Sequence, residues 1–93
     1  MSIDIEVFTS TLCSNCRRAS QLLEQLLTEP GFSNITWREV DVTQEIDYAV
    51  ALSVLATPAI AIGGDLTFTA LPSRQQLRNA IQDYLASGRP GNE

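Results

Sequence analysis

The stretch Ile3-Asp4-Ile5-Glu6-Val7-Phe8-Thr9-Ser10-Thr11-Leu12-Cys13-Ser14-Asn15-Cys16 decides how the rest of the chain is read. Ile3, Ile5 and Val7 alternate with Asp4 and Glu6 before Phe8, which is the two-residue period of a strand with one buried face. After the polar loop Thr9-Ser10-Thr11, apolar residues recur at Cys16, Ala19, Leu22, Leu23, Leu26 and Leu27, the spacing of one helix face. Pro30-Gly31 stops that pattern, so a helix is predicted over about 13–28. Cys16 falls in line with Ala19, Leu23 and Leu27 and so faces inward. Cys13 stands at the first turn beside the loop, which makes one sulfur reachable and the other covered.

Working outward, Ile35 to Val42 is rich in β-branched and aromatic residues and reads as a second strand. A helix between two strands predicts a right-handed parallel crossover. Thr43 is placed to cap a short second helix with Gln44, Glu45 and Asp47 in its first turn and Ile46, Ala49 and Val50 as its apolar face. Pro58 to Ile62, then Gly63-Gly64-Asp65, then Leu66 to Thr69 reads as two antiparallel strands about a glycine turn. Ser73 with Gln76 three later forms a capping box, followed by Leu77, Ala80, Ile81, Tyr84 and Leu85 at helical spacing and Gly88 as a stop. The order βαβαββα predicts an α/β domain, a four-stranded mixed sheet flanked by three helices, over residues 1–86, with a flexible C-terminal tail over 87–93.

With 93 residues there is room for one domain and none for a second catalytic module. Eleven acidic residues against six basic ones, all arginine, give a net charge of -5, which argues against nucleic acid as a partner. No apolar run approaches the roughly 20 residues of a membrane span. Asp4 and Glu6 stand where an export signal would carry Lys or Arg, so the cytoplasm is the expected location.

Cys13 and Cys16 are the only two cysteines, too few and too close for a stabilising disulfide framework. Cα atoms three residues apart in a helical first turn lie about 5 to 6 Å from one another, within the range a disulfide bridges. The pair can therefore cycle between dithiol and disulfide without unfolding anything. Free N-H groups and the positive end of the helix dipole favour the thiolate of Cys13. Cys13 is thus the expected nucleophile and Cys16, one turn away, the resolving thiol. Structural zinc wants four ligands, and a chain with no His and no second cysteine pair supplies them only as a dimer. Ser14, Asn15 and Arg17 are candidate modulators of the pair. Trp37, with Phe8, Phe32 and Phe68, is expected to pack in the core or on a strand face, away from the cysteines.

Between Ile3 and Leu85 the chain resembles the thioredoxin-like superfamily, and within it the small single-domain thioredoxin/glutaredoxin-like proteins. The resemblance is carried by the Cys-x-x-Cys opening the first helix, by Ala56-Thr57-Pro58 before the third strand, and by the Gly-Gly hairpin leading into Leu71-Pro72-Ser73. It implies a thiol-disulfide oxidoreductase in which Pro58 is cis and, with Thr57, stands opposite the cysteines to orient the backbone of a substrate. It also implies disulfide-containing protein substrates and a dithiol reductase as electron donor, with no bound cofactor, no metal, and a monomer as the working form. Two departures qualify it. Val7 occupies the place where thioredoxins keep a buried carboxylate, and the positions that hold glutathione in glutaredoxins read Thr11-Leu12 and Ala70-Leu71. The alternative is a non-catalytic module of the same fold, acting as a redox sensor or shared metal clip for a partner.

Overall fold

The computed structural model describes residues 3–87. Strand β1 (Ile3–Thr9) leads into helix α1 (Cys16–Leu26), strand β2 (Ile35–Asp41), helix α2 (Ile46–Ala51), strands β3 (Ala59–Ile62) and β4 (Asp65–Phe68), and helix α3 (Arg74–Ser87). The sheet order is β2-β1-β3-β4. β1 and β2 run parallel in register from Ile3↔Ile35 to Thr9↔Asp41, whereas β1 with β3 and β3 with β4 are antiparallel. This is the mixed four-stranded sheet with three helices that the sequence predicts. The expected helix stop at Gly88 and most of the expected tail lie outside the described residues.

Because β1 is central, both of its faces are covered, and the expectation of a single buried face is corrected here. On one face Ile5 and Val7 pack with Ala19, Leu23 and Leu26 of α1 and Leu77 and Ile81 of α3. On the other, Phe8 packs with Val40, Ala49, Ala59 and Ala61. Burying a Leu or Ile side chain in this way contributes about 1.5 to 3 kcal/mol, which is why the central strand is anchored from both sides. Glu6 shares the Phe8 face and is 7% exposed. A buried carboxylate needs partners. Arg38 Nη2 and Nε donate to its Oε2 at 2.8 and 3.2 Å, and the Tyr48 hydroxyl donates to its Oε1. The Glu6 carboxylate in turn holds the Arg38 guanidinium and the Tyr48 phenol above their ordinary pKa values.

Local signals decide the ends of the elements, with three corrections. α1 starts at Cys16, with Asn15 as its N-cap, and ends at Leu26 rather than Thr28. Thr43 does not cap α2. Its backbone N-H and hydroxyl both donate to Asp41 Oδ1, at 2.8 and 2.6 Å, and these bonds hold the Asp41 carboxyl below its ordinary pKa. The helix instead follows Glu45, and of its expected apolar face only Ala49 is buried, Ile46 and Val50 being 59% and 70% exposed. The capping box forms as read: Gln76 N-H donates to Ser73 Oγ at 3.1 Å, and Ser73 N-H to Gln76 Oε1 at 2.9 Å. In the hairpin turn Gly63 and Gly64 adopt φ of +60° and +87°. At Gly63 an added Cβ would fall 1.8 Å from the Tyr84 hydroxyl, so the turn is seated directly against α3.

Candidate active site

β1 delivers the chain to a turn at the carboxyl end of the parallel β1/β2 pair, the end at which α/β sheets place their ligands. The turn begins with Cys13 N-H donating to the Ser10 carbonyl at 3.4 Å. Cys13 and Cys16 are joined by a disulfide, with an S-S distance of 2.09 Å and Cα atoms 5.4 Å apart. The Cα separation falls in the range expected from the spacing, but the setting differs. Cys13 precedes the helix by three residues and only Cys16 belongs to it. The four residues form a turn that feeds α1, not its first helical turn.

The two sulfurs occupy different surroundings. Cys16 is 5% exposed, on the stripe of Ala19, Leu23 and Leu26, and its Sγ lies 3.9 Å from the Phe8 carbonyl oxygen. Cys13 is half-buried at the rim. Ser14 and Asn15 are exposed, and Asn15 makes no side-chain capping bond although it is the N-cap. Thr57-Pro58 is a cis peptide bond immediately before β3, with Pro58 buried and Thr57 half-buried. The Ser10 and Thr57 hydroxyls are hydrogen-bonded at 2.8 Å and so tie the segment before Cys13 to the segment before Pro58.

Beside the disulfide lies an open concavity of about 540 Å³ whose lining includes Cys13, Cys16, Arg17, Ser20, Trp37 and Glu39. Trp37 packs against the core as the sequence predicts, yet it also shares this concavity with the cysteines, which corrects the reading that set it apart from them. Arg17 is exposed and, with Arg18, enters no ion pair among the described residues, whereas Arg38, Arg74 and Arg78 all do. No group of three or more His, Cys, Asp or Glu side chains placed to hold a metal occurs among the described residues.

Two features escape the sequence reading. Ser20, one turn after Cys16, is 8% exposed and donates its hydroxyl hydrogen to Glu39 Oε2 at 2.5 Å. The signal available was a small polar residue on an otherwise apolar stripe. Leu12 and Leu55, which adjoin Cys13 and the Ala56-Thr57-Pro58 segment in sequence, are 96% and 95% exposed.

A mixed four-stranded sheet with a Cys-x-x-Cys disulfide at the end of its central strand, and a cis proline before the neighbouring strand, defines a dithiol/disulfide protein of the thioredoxin fold. A family model described as "Thioredoxin domain" matches residues 3–82. A "Probable Thioredoxin" of Methanothermobacter thermautotrophicus is 36% identical over 85 residues, 91% of this chain and 99% of that protein. A "Thioredoxin" of Methanocaldococcus jannaschii is 30% identical over 84 residues, 89% and 96% of the two chains. Among solved structures, a mutant thioredoxin from Halobacterium salinarum superposes with a TM-score of 0.75 at 18% identity, over 89% of this chain and 74% of that one. The chain belongs to the thioredoxin family. It is a thiol-disulfide oxidoreductase that cycles Cys13 and Cys16 and acts on disulfide-containing proteins.

Proposed function

We propose that Cys13 is the attacking thiol and Cys16 the resolving one. The observation that carries this reading is the unequal burial of the two sulfurs: a substrate disulfide reaches the half-buried Cys13 but not Cys16, which is 5% exposed. Cys13 thiolate attacks one substrate sulfur, the substrate S-S bond breaks, and its second sulfur leaves as a thiolate. Cys16 then attacks Cys13 Sγ, the mixed disulfide breaks, and the remaining substrate sulfur leaves. The substrate gains two electrons and the protein ends as its disulfide.

Thr57 and Pro58 orient the substrate backbone, since they stand just before the β3 ladder begins at Ala59 and Thr57 is fastened to the cysteine loop through Ser10. Leu12 and Leu55 supply apolar contact for the incoming polypeptide. Ser14, Asn15 and Arg17 modulate the pair, with Arg17 as the unpaired positive charge of the concavity. A dithiol reductase returns the two electrons, because the positions that hold glutathione in glutaredoxins carry Thr11-Leu12 and Ala70-Leu71 here. The protein works as a monomer in the cytoplasm, and among the described residues no helix is long and apolar enough to cross a membrane.

The test is thiol labelling and trapping. In the reduced protein a small alkylating agent labels Cys13 first, Cys13→Ser abolishes disulfide reduction, and Cys16→Ser attacks but stalls as a mixed disulfide on Cys13. Faster labelling of Cys16, with no trapped species in Cys16→Ser, would reverse or remove these roles. A coupled assay ranks the donors, and faster reduction by glutathione than by a dithiol reductase would overturn the choice of donor.

A further inference from the structure

When the disulfide is opened, Cys16 becomes a thiol on a helix face that water hardly reaches, and a thiol attacks only after its proton has left. The stripe around it is poor in receivers, because Ala19, Leu23 and Leu26 are fully buried and apolar. The Phe8 carbonyl, 3.9 Å from Cys16 Sγ, can accept a hydrogen bond but cannot carry a proton away. Among the described residues two polar side chains are buried, Glu6 and Ser20. Glu6 lies on the other face of the sheet and is occupied by Arg38 and Tyr48.

Ser20 is the one that fits. It follows Cys16 by four residues in α1, which puts the two side chains on the same face with Cβ atoms about 5 to 6 Å apart. Its hydroxyl donates to Glu39 Oε2, so the buried hydroxyl is tied to a carboxylate oxygen. Glu39 pairs with Val7 in the β1/β2 register and lines the same concavity as Cys13, Cys16 and Ser20. It is itself exposed. A buried sulfur and a buried hydroxyl one helical turn apart thus line one concavity, and the hydroxyl is bonded to an exposed carboxylate.

We infer that Ser20 and Glu39 form the proton exit of Cys16. Ser20 meets the thiol, and Glu39 is the positioning residue that aims the hydroxyl and takes its proton. The inference rests on Cys16 being the resolving thiol. As the Cys16 S-H bond breaks, its proton passes to Ser20 Oγ while the Ser20 O-H proton passes to Glu39. The electron pair left on Cys16 Sγ forms the bond to Cys13 Sγ, and the bond from Cys13 to the substrate sulfur breaks. The departing thiolate is protonated from Glu39 or from water, so protons and electrons balance. The other charged groups of the concavity are Arg17 and Glu24 on α1 and Arg38 on β2, and Arg38 is already engaged by Glu6 and Glu45.

The experiment mixes reduced protein with an aromatic disulfide whose two halves each absorb light once released. The first release reports attack by Cys13 and the second reports resolution by Cys16. In Glu39→Gln the first phase keeps its rate, while the second slows roughly tenfold at about pH 7, a modest share of what a positioned proton acceptor contributes. That deficit narrows as the pH rises, because hydroxide then takes the thiol proton without the carboxylate. Ser20→Ala reproduces the effect and Glu39→Asp restores most of the rate. A second phase unchanged in Glu39→Gln across this pH range, or equal slowing of both phases, overturns the proton exit. Failure of the unaltered protein to release the two halves in succession would count instead against the roles of Cys13 and Cys16.

Discussion

Replacing Tyr48 by Phe removes one hydroxyl and little else, which makes it a clean probe of the buried Glu6 carboxylate. The ring keeps its contact with Phe8, at a centroid distance of 5.8 Å, and its place under the Arg38 guanidinium at 5.9 Å. What disappears is the bond to Glu6 Oε1. A hydrogen bond to a charged group contributes about 1.5 to 3 kcal/mol. Arg38 still holds Oε2 through two bonds, so the loss falls in the lower part of that range, about 1.5 to 2 kcal/mol. With an unfolding entropy of about 2.1 cal/mol/K per residue, this corresponds to a fall in Tm of about 8 to 10 °C for a chain of 93 residues.

Urea unfolding followed by far-UV circular dichroism measures it, with the midpoint moving and the slope unchanged. The pH dependence has a definite sign. Glu6 first, and burial second, raise the Tyr48 pKa in the folded protein. The hydroxyl's contribution is therefore complete below its unfolded value of about 10 and is lost as the pH rises through the folded value. The gap between native protein and Tyr48→Phe stays constant through neutral pH and narrows in alkali. A loss below about 0.5 kcal/mol would show that Arg38 alone compensates Glu6, and a larger gap that does not narrow would show that the loss comes from something other than the un-ionised hydroxyl.

Two further outcomes are expected. Gly63→Ala and Gly64→Ala both force a side chain into positive φ, at about 1 to 2 kcal/mol each, but only the former also drives a Cβ into Tyr84. Gly63→Ala is thus the less stable of the two, and equal urea midpoints would mean that Tyr84 swings aside freely. Asp41→Ala removes a carboxylate whose pKa is lowered by the Thr43 bonds, so the native protein's advantage is present above about pH 4 and fades as the pH falls through the folded value. An advantage that persists undiminished in acid would assign it to something other than the ionised carboxylate.

Features carried by local chemistry were legible in the sequence, and features that depend on distant partners were not. The Ser73/Gln76 box and the Gly63-Gly64 turn each involve residues a few positions apart, and both formed as read. Glu6 looked like the solvent side of an alternating strand because Arg38 and Tyr48, its partners, lie 32 and 42 positions away. Thr43 had a nearer claimant in Asp41 than the helix end it was assigned to. At the site, the spacing of Cys13 and Cys16 was enough to find the pair. The α1 start was misplaced by three residues because a Cys-x-x-Cys turn and a first helical turn give similar Cα separations. The Ser20-Glu39 bond joins α1 to β2 across 19 positions and left no trace beyond one polar residue in an apolar row.

That α1 begins at the second cysteine bears on the thermodynamics of the redox cycle. The bridge spans a separation of three residues, so closing it restricts the unfolded chain less than a bridge across a long loop would. It also clasps a turn that none of the sheet ladders includes, and the first helix bond, from Ala19 N-H to the Asn15 carbonyl, reaches back into that turn. Around a cycle of folding and oxidation, the difference in fold stability between the two redox forms must equal the difference in the pair's free energy of oxidation between the folded and unfolded chains. Substitutions deep in the core, at Leu23 or Ile81 for instance, weaken the oxidised and reduced forms alike. They therefore leave the dithiol-disulfide balance where it was, and the poise of the pair is governed by the few groups within reach of its sulfurs.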